Sequence, residues 1–487
     1  MWRKIKSFFG GNSNQPFEKH PKERVEYKQV SNTETSIDNT TVFNHELRRI
    51  DDILTDIGFR FIHLKILFII GLLNMTDSLE VSIFSILLPR IRTDWSLSSL
   101  QAGVLTCSLA IGITIGCSFW GWISDRYGRK IGFIGSACFI MTFGFASAFI
   151  TNYYCFWITL CLTGFGIANV YETSVVILEV SPPKYRCIVG VLLSTFWSLG
   201  FFVSAITSAH IKTIPGNQSL AFVCIPTGLF LASVIFLPET PHYYLTEGNE
   251  QKALDTLQKF APEMDFTNVR LQKCNVVTKR ANLKEVFLNG YWKITTCCAI
   301  AFFSIMCFYY NVIYMASEIA APLNFTQVPK HQMAITQESD LYNLMVWMHL
   351  PEVTILCIFA SMCWIMTVKN SLLLSLICII ATQIVESFFL NKRTAFFLMT
   401  MITRSLAMTA SALCVIFIPL LYPTETRALG LGVCASFSRV GMMSGPFLFE
   451  TYFQQFLARS IVYNIGMTLI AILGIILLPS PTNTEFL

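Results

Sequence analysis

Charge is scarce in this sequence. Aspartate, glutamate, lysine and arginine together supply 13% of its 487 residues, too few to wet the surface of a soluble protein of that length. Other absences narrow the chemistry. There is no Gly-x-x-x-x-Gly-Lys loop to cradle ATP. There is no His-Glu-x-x-His and no paired Cys-x-x-Cys motif, which removes the common zinc sites, and the seven histidines are scattered. Gly430-Leu431-Gly432 precedes a helical stretch but lacks the strand and the remaining fingerprint of a dinucleotide site. Neither an enzyme, a metal, a cofactor nor a nucleic-acid partner is expected. No cleavable leader is visible, because residues 1–60 are polar and the first apolar run is long enough to span and remain. Disulfides are not expected either: nearly all of the sixteen cysteines lie inside apolar runs, with Cys155 near a loop and Cys274 in one.

What the chain has is apolar length. Hydrophobic residues make up 53% of it, and runs of about 20 apolar residues, enough to cross a bilayer, recur near 65–88, 101–123, 131–150, 154–178, 188–210, 220–237, 292–316, 342–366, 371–390, 395–421, 430–452 and 460–479. The expectation is an all-α membrane protein of about twelve transmembrane helices. Its parts are an N-terminal segment 1–60, a six-helix bundle 61–238, a polar linker 239–290, a second bundle 291–480 and a tail 481–487. Two equal bundles imply a central pathway between them. About 26 of the 35 lysines and arginines fall on the side of the N-terminus and the linker, which favours cytosolic termini. The sequons at Asn217 and Asn324 then fall in loops on the opposite side, where both are candidates for glycosylation.

Before the first span, Phe43, Leu47, Ile50, Leu54, Ile57 and Phe61 recur at helical spacing among charged residues. They predict an amphipathic helix on the cytosolic face. A second short helix is expected around Glu250–Phe260.

Between the second and third spans stand Gly121-Trp122-Ile123-Ser124-Asp125-Arg126-Tyr127-Gly128-Arg129-Lys130. This order of glycine, aspartate, arginine, glycine, arginine and lysine resembles the loop between helices 2 and 3 of the major facilitator superfamily. Pro238-Glu239-Thr240-Pro241-His242 after the sixth span resembles the matching segment of sugar porters and organic-ion transporters. Glu179 to Arg186 after the fourth span and Tyr422-Pro423-Thr424-Glu425-Thr426-Arg427 after the tenth occupy equivalent places in the halves. The latter, with Ser438-Arg439-Val440-Gly441 and with Asp77-Ser78-Leu79-Glu80, looks most like the synaptic-vesicle-protein branch.

The resemblance implies a conformational latch built from Gly121, Asp125, Arg126, Gly128, Arg129, Glu179, Arg186, Glu239 and Arg427. It also implies that Asp125 meets the N-terminus of the eleventh helix near Leu429–Gly432. Several family positions are altered. The second copy of the loop reads Ala360 to Lys369 without the aspartate, arginines or glycines; Leu160 stands where helix 4 has an arginine, His242 replaces another arginine, and Leu420 replaces an acid.

Charges at bilayer depth are expensive, at least about 2.5–3.5 kcal/mol on insertion scales, so each needs a partner or a use. Asp77 and Glu80 are three residues apart in the first span and can share a face; with Glu172 they are candidates for substrate or proton binding. Arg404 is placed either to pair with an acidic neighbour or to meet an anionic substrate, and Trp197 and Tyr171 could offer aromatic faces to an ammonium. Glu352 and Glu386 are expected nearer an interface, reaching water.

The expected function is secondary active transport of a small organic solute, an organic cation favoured, by alternating access, with proton coupling open. The competing reading is a transporter-like vesicle protein that no longer transports and binds partners or small ligands. The expected location is an intracellular vesicle membrane or the plasma membrane.

Overall fold

The computed structural model describes residues 46–210, 220–222, 224–266, 269–272, 291–320, 349–362, 365–422 and 427–479. The two sequons, the tail 481–487, most of the N-terminal segment and the side chain of Arg427 lie outside the described residues.

The described chain opens with β1 (Glu46–Arg48) and the helix α1 (Ile50–Ile57). The first bundle follows: α2 (Phe61–Asp94), α3 (Ser99–Tyr127), α4 (Arg129–Ser147), α5 (Tyr153–Ile167) running through a 3-10 turn into α6 (Tyr171–Val180), α7 (Arg186–His210) and α8 (Cys224–Ser233). The linker carries α9 (Pro241–Thr246), α10 (Glu250–Phe260) and β2 (Val269–Leu271). The second bundle is α11 (Trp292–Ala320), α12 (Leu350–Met362), α13 (Val368–Phe388), α14 (Arg393–Phe417), α15 (Arg427–Leu448) and α16 (Leu457–Ile476). Among the described residues nine helices are long and apolar enough to cross a membrane, the α5–α6 pair counting as one. The shorter apolar segment at Leu220–Phe236, α12 and α15 occupy the three remaining expected spans.

Burial distinguishes inner from outer helices, and it does so alike in the two halves. The apolar stretches of α2 and α11 are 83% and 72% buried, whereas those of α4 and α13 are each 39% buried. The first helix of each half therefore lies inside and the third faces lipid, as an internal repeat requires. Small residues let the helices close on each other. A Cβ on Gly112 of α3 would reach Phe165 N at 2.7 Å, and one on Gly164 of α5 would reach Leu109 Cα at 3.0 Å, so α3 and α5 touch backbone to backbone. The thirteen cysteines whose side chains are described are unbridged.

The face that carries α1, α9 and α10 is called the N-terminal face below, and its opposite the far face. The apolar side of α1, Ile50, Ile53, Leu54 and Ile57, is buried. It is turned onto protein, while the expected members Leu47 and Phe61 are exposed. The reason lies in the linker. β1 pairs in parallel with β2, Gln272 N donates to Arg48 O at 2.8 Å, and Arg186 reaches Asp51 of α1 at 2.5 Å. These bonds fasten the segment to the first bundle, so its apolar stripe covers protein and not headgroups. The second short helix forms where the sequence places it, with Asn249 capping α10 through Lys252 N.

Candidate functional site

Three groups of charges stand inside or at the edge of the spans. The first is on α2. Asp77 and Glu80 are 2% and 0% exposed at the middle of the helix. Neither oxygen of Glu80 and not Asp77 Oδ1 has a protein hydrogen-bond partner among the described residues. The cation that acts on Asp77 is Arg439 of α15, in the opposite bundle, whose Nη1 also donates to Cys117 Sγ of α3 at 2.6 Å. Glu80 feels Asp77 as a like charge and in turn acts on Cys224 of α8. An unpartnered buried carboxylate is held there only with a proton or a cation upon it.

The second group holds the residues expected to form the latch. Arg129, at the start of α4, donates through Nη1 to Glu172 Oε2 at 2.7 Å and through Nη2 to Glu179 Oε1 at 3.4 Å, and stands 3.1 Å from Asp125 Oδ1. The Glu239 carboxylate accepts from the backbone N–H groups of Arg129 and Lys130 at 3.0 and 3.1 Å, capping α4 from the other end of the first bundle. Burial pushes its carboxyl above the usual range, and these N–H groups pull it back. Gly128 makes the approach possible, since its φ is +105° and a Cβ there would lie 2.7 Å from Glu239 Oε2. Arg186 bonds Leu178 O and Asp51, Arg126 stacks on Trp122 and Tyr127 at the surface, and Gly121 faces Glu172. His242, in place of an arginine, is half-buried near Glu179, Asp51 and Arg186, and partial burial holds its pKa below the ordinary value.

Glu172 thus stands with Arg129, and it and Asp77 both act on Cys117 of α3. Asp125 has a 71% exposed side chain, and its described ion-pair partner is Arg129; the side chains of 427–429, at the start of α15, lie outside the described residues. In the second half, where the loop motif is lost, Thr367 caps α13 and Lys369 Nζ donates to Ile476 O at 3.3 Å. A cap and a carbonyl contact take the place of an ion cluster.

Exchanging Gly128 for alanine is expected to lower stability by about 1–3 kcal/mol, from the strained φ together with the displaced cap. Thermal melting of the purified protein measures it. Glu239→Gln, which keeps an acceptor, should lower it less; equal melting of parent and Gly128→Ala would show that the cap does not depend on the glycine.

The third group sits at mid-span in the second bundle. Arg404 of α14 lies 3.2 Å from Glu352, in the first turn of α12, and 2.7 Å from His349 Nδ1, the residue just before that helix, and 4.0 Å above the Phe201 ring of α7. Trp197 Nε1 donates to Tyr309 OH of α11 at 3.1 Å. Glu352 and Glu386 do not reach water: both are buried, the one paired with Arg404 and the other accepting from Thr400 Oγ1. Each has a partner on the neighbouring helix, which removes the reason to snorkel.

Sequence reasoning missed a further cluster. Arg92 of α2 donates to Glu318 of α11 at 3.0 Å and to Glu450, just beyond α15, at 2.9 Å, all three at 2% exposure or less. Nearby, Ser85 bonds Ser317 at 2.9 Å across the same boundary. Cys107 Sγ reaches Met443 O at 3.7 Å, again between bundles. The bonds that join the bundles among the described residues therefore run from mid-span, at Arg439, Trp197 and Arg404, to the far face.

Comparison with known proteins agrees with this geometry. The sequence profile of sugar (and other) transporters matches residues 66–482. The chain belongs to that family. It is a multi-pass membrane protein of the major facilitator superfamily and not an enzyme. The synaptic vesicle 2-related protein of Xenopus laevis is 27% identical over 448 residues, covering 89% of this chain and 81% of the relative. Organic cation/carnitine transporter 7 of Arabidopsis thaliana is 24% identical over 440 residues, covering 82% and 87%. The xylose transporter XylE from E. coli, in a partially occluded inward open conformation, superposes with a TM-score of 0.67 at 15% identity, covering 86% of this chain and 98% of that one. The last likeness is one of fold.

Proposed function

We propose that this transporter-family chain moves a small organic cation by alternating access, coupled to protons. The observation that carries the reading is the buried pair Asp77 and Glu80 at the middle of the inner helix α2, with no hydrogen-bond partner among the described residues on three of four carboxylate oxygens. Such a site attracts a cation or a proton, and keeping it empty would be costly. Relatives support the substrate class: one is named an organic cation/carnitine transporter, and the fold is that of a D-xylose-proton symporter. The N-terminal face is taken as cytosolic, so that Asn217 and Asn324 lie on the far, glycosylated side of a vesicle or plasma membrane. The arrangement described is then inward-facing, with bonds between bundles crowded toward the far side.

Uptake of a panel of organic ions into proteoliposomes, with and without an imposed pH gradient, tests this. Uptake of cations that rises with the gradient supports it. A blank across the panel with properly inserted protein favours a transporter-like vesicle protein that binds without transporting, the reading to which the lost second-half motif points.

A further inference from the structure

The cluster on α12 and α14 has its protonation fixed by one contact. Arg404 Nη1 lies 2.7 Å from His349 Nδ1. A guanidinium nitrogen only donates, so Nδ1 accepts, and the ring is neutral with its hydrogen on Nε2. His349 is 1% exposed, and its Nε2 has no partner among the described residues. Glu352 Oε2 lies 3.2 Å from the same Nη1 and 3.6 Å from Nδ1. One guanidinium nitrogen is thus hydrogen-bonded to the His349 ring and ion-paired with the Glu352 carboxylate three residues on. The same guanidinium covers Phe201 of the first bundle at 4.0 Å, and the His349 ring lies 5.6 Å from that phenyl. Contact between the bundles at α7 depends on Arg404 staying where His349 and Glu352 hold it.

We propose that His349 is a proton-binding site of the second bundle, and that its protonation expels Arg404 and loosens the contact between α7 and α12. The proton takes the Nδ1 lone pair that Arg404 now occupies. The new N–H donates to Glu352 Oε2, and Arg404 is left with a lost acceptor and a like charge beside it. One proton enters, no other bond is made or broken, and the charge of the trio rises by one. The groups facing His349 are Glu352, three residues on in α12, and Arg404 on α14. Tyr309 of α11 stands against Arg404 and Glu352, and α7 presents Ser198, Trp197 and Phe201, which do not titrate. On α13, Glu386 is bonded to Thr400. This inference rests on the proposed transport only in giving the proton a purpose.

Two measurements on the full-length protein in nanodiscs test it. The first is the ¹⁵N spectrum of histidine-labelled protein, with the His349 signal assigned by its loss in His349→Gln, or by substituting the other histidines in turn if that variant does not fold. The expected result is an Nε2–H ring at about pH 8 that becomes doubly protonated only toward about pH 4. An Nδ1–H ring, or no titration over that range, overturns the proposal. The second is the distance between spin labels on Leu199→Cys of α7 and Ile358→Cys of α12, both exposed. It should lengthen with acid in the parent and stay fixed in His349→Gln or, where that fails to fold, in His349→Asn. The same response in parent and variant, or none in the parent, overturns it. Both readouts are independent of uptake, so an inactive protein whose His349 titrates and whose helices separate would refute the transport reading and leave this one standing.

Discussion

Arg92→Met is expected to lower the stability of the protein by about 3–5 kcal/mol and to open its far face. The magnitude follows from what remains. Arg92 bridges Glu318 of α11 and Glu450 beyond α15, and all three are buried; removing the guanidinium strips both carboxylates of a shared counter-charge at a site closed to water, which is the costly way to break a buried ion pair. The direction follows from where they stand, because the bridge ties the first helix of one bundle to the first and fifth helices of the other. Water reaches the carboxylates only if that end separates. The reporter is a cysteine at Ser317, which now bonds Ser85 across the boundary. Its labelling by a membrane-impermeant maleimide should rise strongly in Arg92→Met. Arg92→Met with Glu318→Gln and Glu450→Gln should regain much of the stability, since an uncharged trio leaves no orphan, yet not the closure. If melting and labelling both match the parent in Arg92→Met, the bridge neither stabilises the fold nor closes the far face.

That this cluster escaped the sequence has a physical cause. The first apolar run reads as ending at Leu88, before Pro89, so Arg90, Arg92 and Asp94 look like loop charges in water. The helix instead continues through Pro89 to Asp94, carrying Arg92 inside the boundary between bundles. Glu318 falls just past an expected span end at 316, and Glu450 sits in a π-helical turn, Phe449–Phe453, that no local pattern announces. Arg92 and Glu450 are 358 residues apart. Charges of opposite sign at the ends of expected inner spans were the available signal. The latch was legible because its residues form a local motif, but its partner Glu239, 110 residues from Arg129, came only through a second motif. Helix positions followed from apolar length alone. The β1–β2 pairing did not, because two three-residue strands far apart in sequence leave no periodicity to read.

Asp77 and Glu80 should separate when each is neutralised, although the sequence offers them as a pair. Among the described residues Glu80 has neither a hydrogen bond nor a cation acting on it, only Asp77 as a like charge. Glu80→Gln removes that charge at nearly constant shape and should raise stability by about 1–3 kcal/mol, the scale of a relieved buried polar group. Asp77 is acted on by Arg439 from the opposite bundle. Asp77→Asn takes a counter-charge from a guanidinium and should lower stability or leave it unchanged. Arg404 does not enter this balance, being held by Glu352 and His349. If the pair carries the cation or the proton, both variants should lose gradient-driven uptake by tenfold or more, on the order of the 1.4 kcal/mol that one strong charge contact supplies, so the Glu80 variant would be more stable and less active. Melting in nanodiscs and uptake across pH for each variant decide it. Parent-like uptake at every pH in both would move the site elsewhere, and a destabilised Glu80→Gln would mean that the carboxylate has a structural partner.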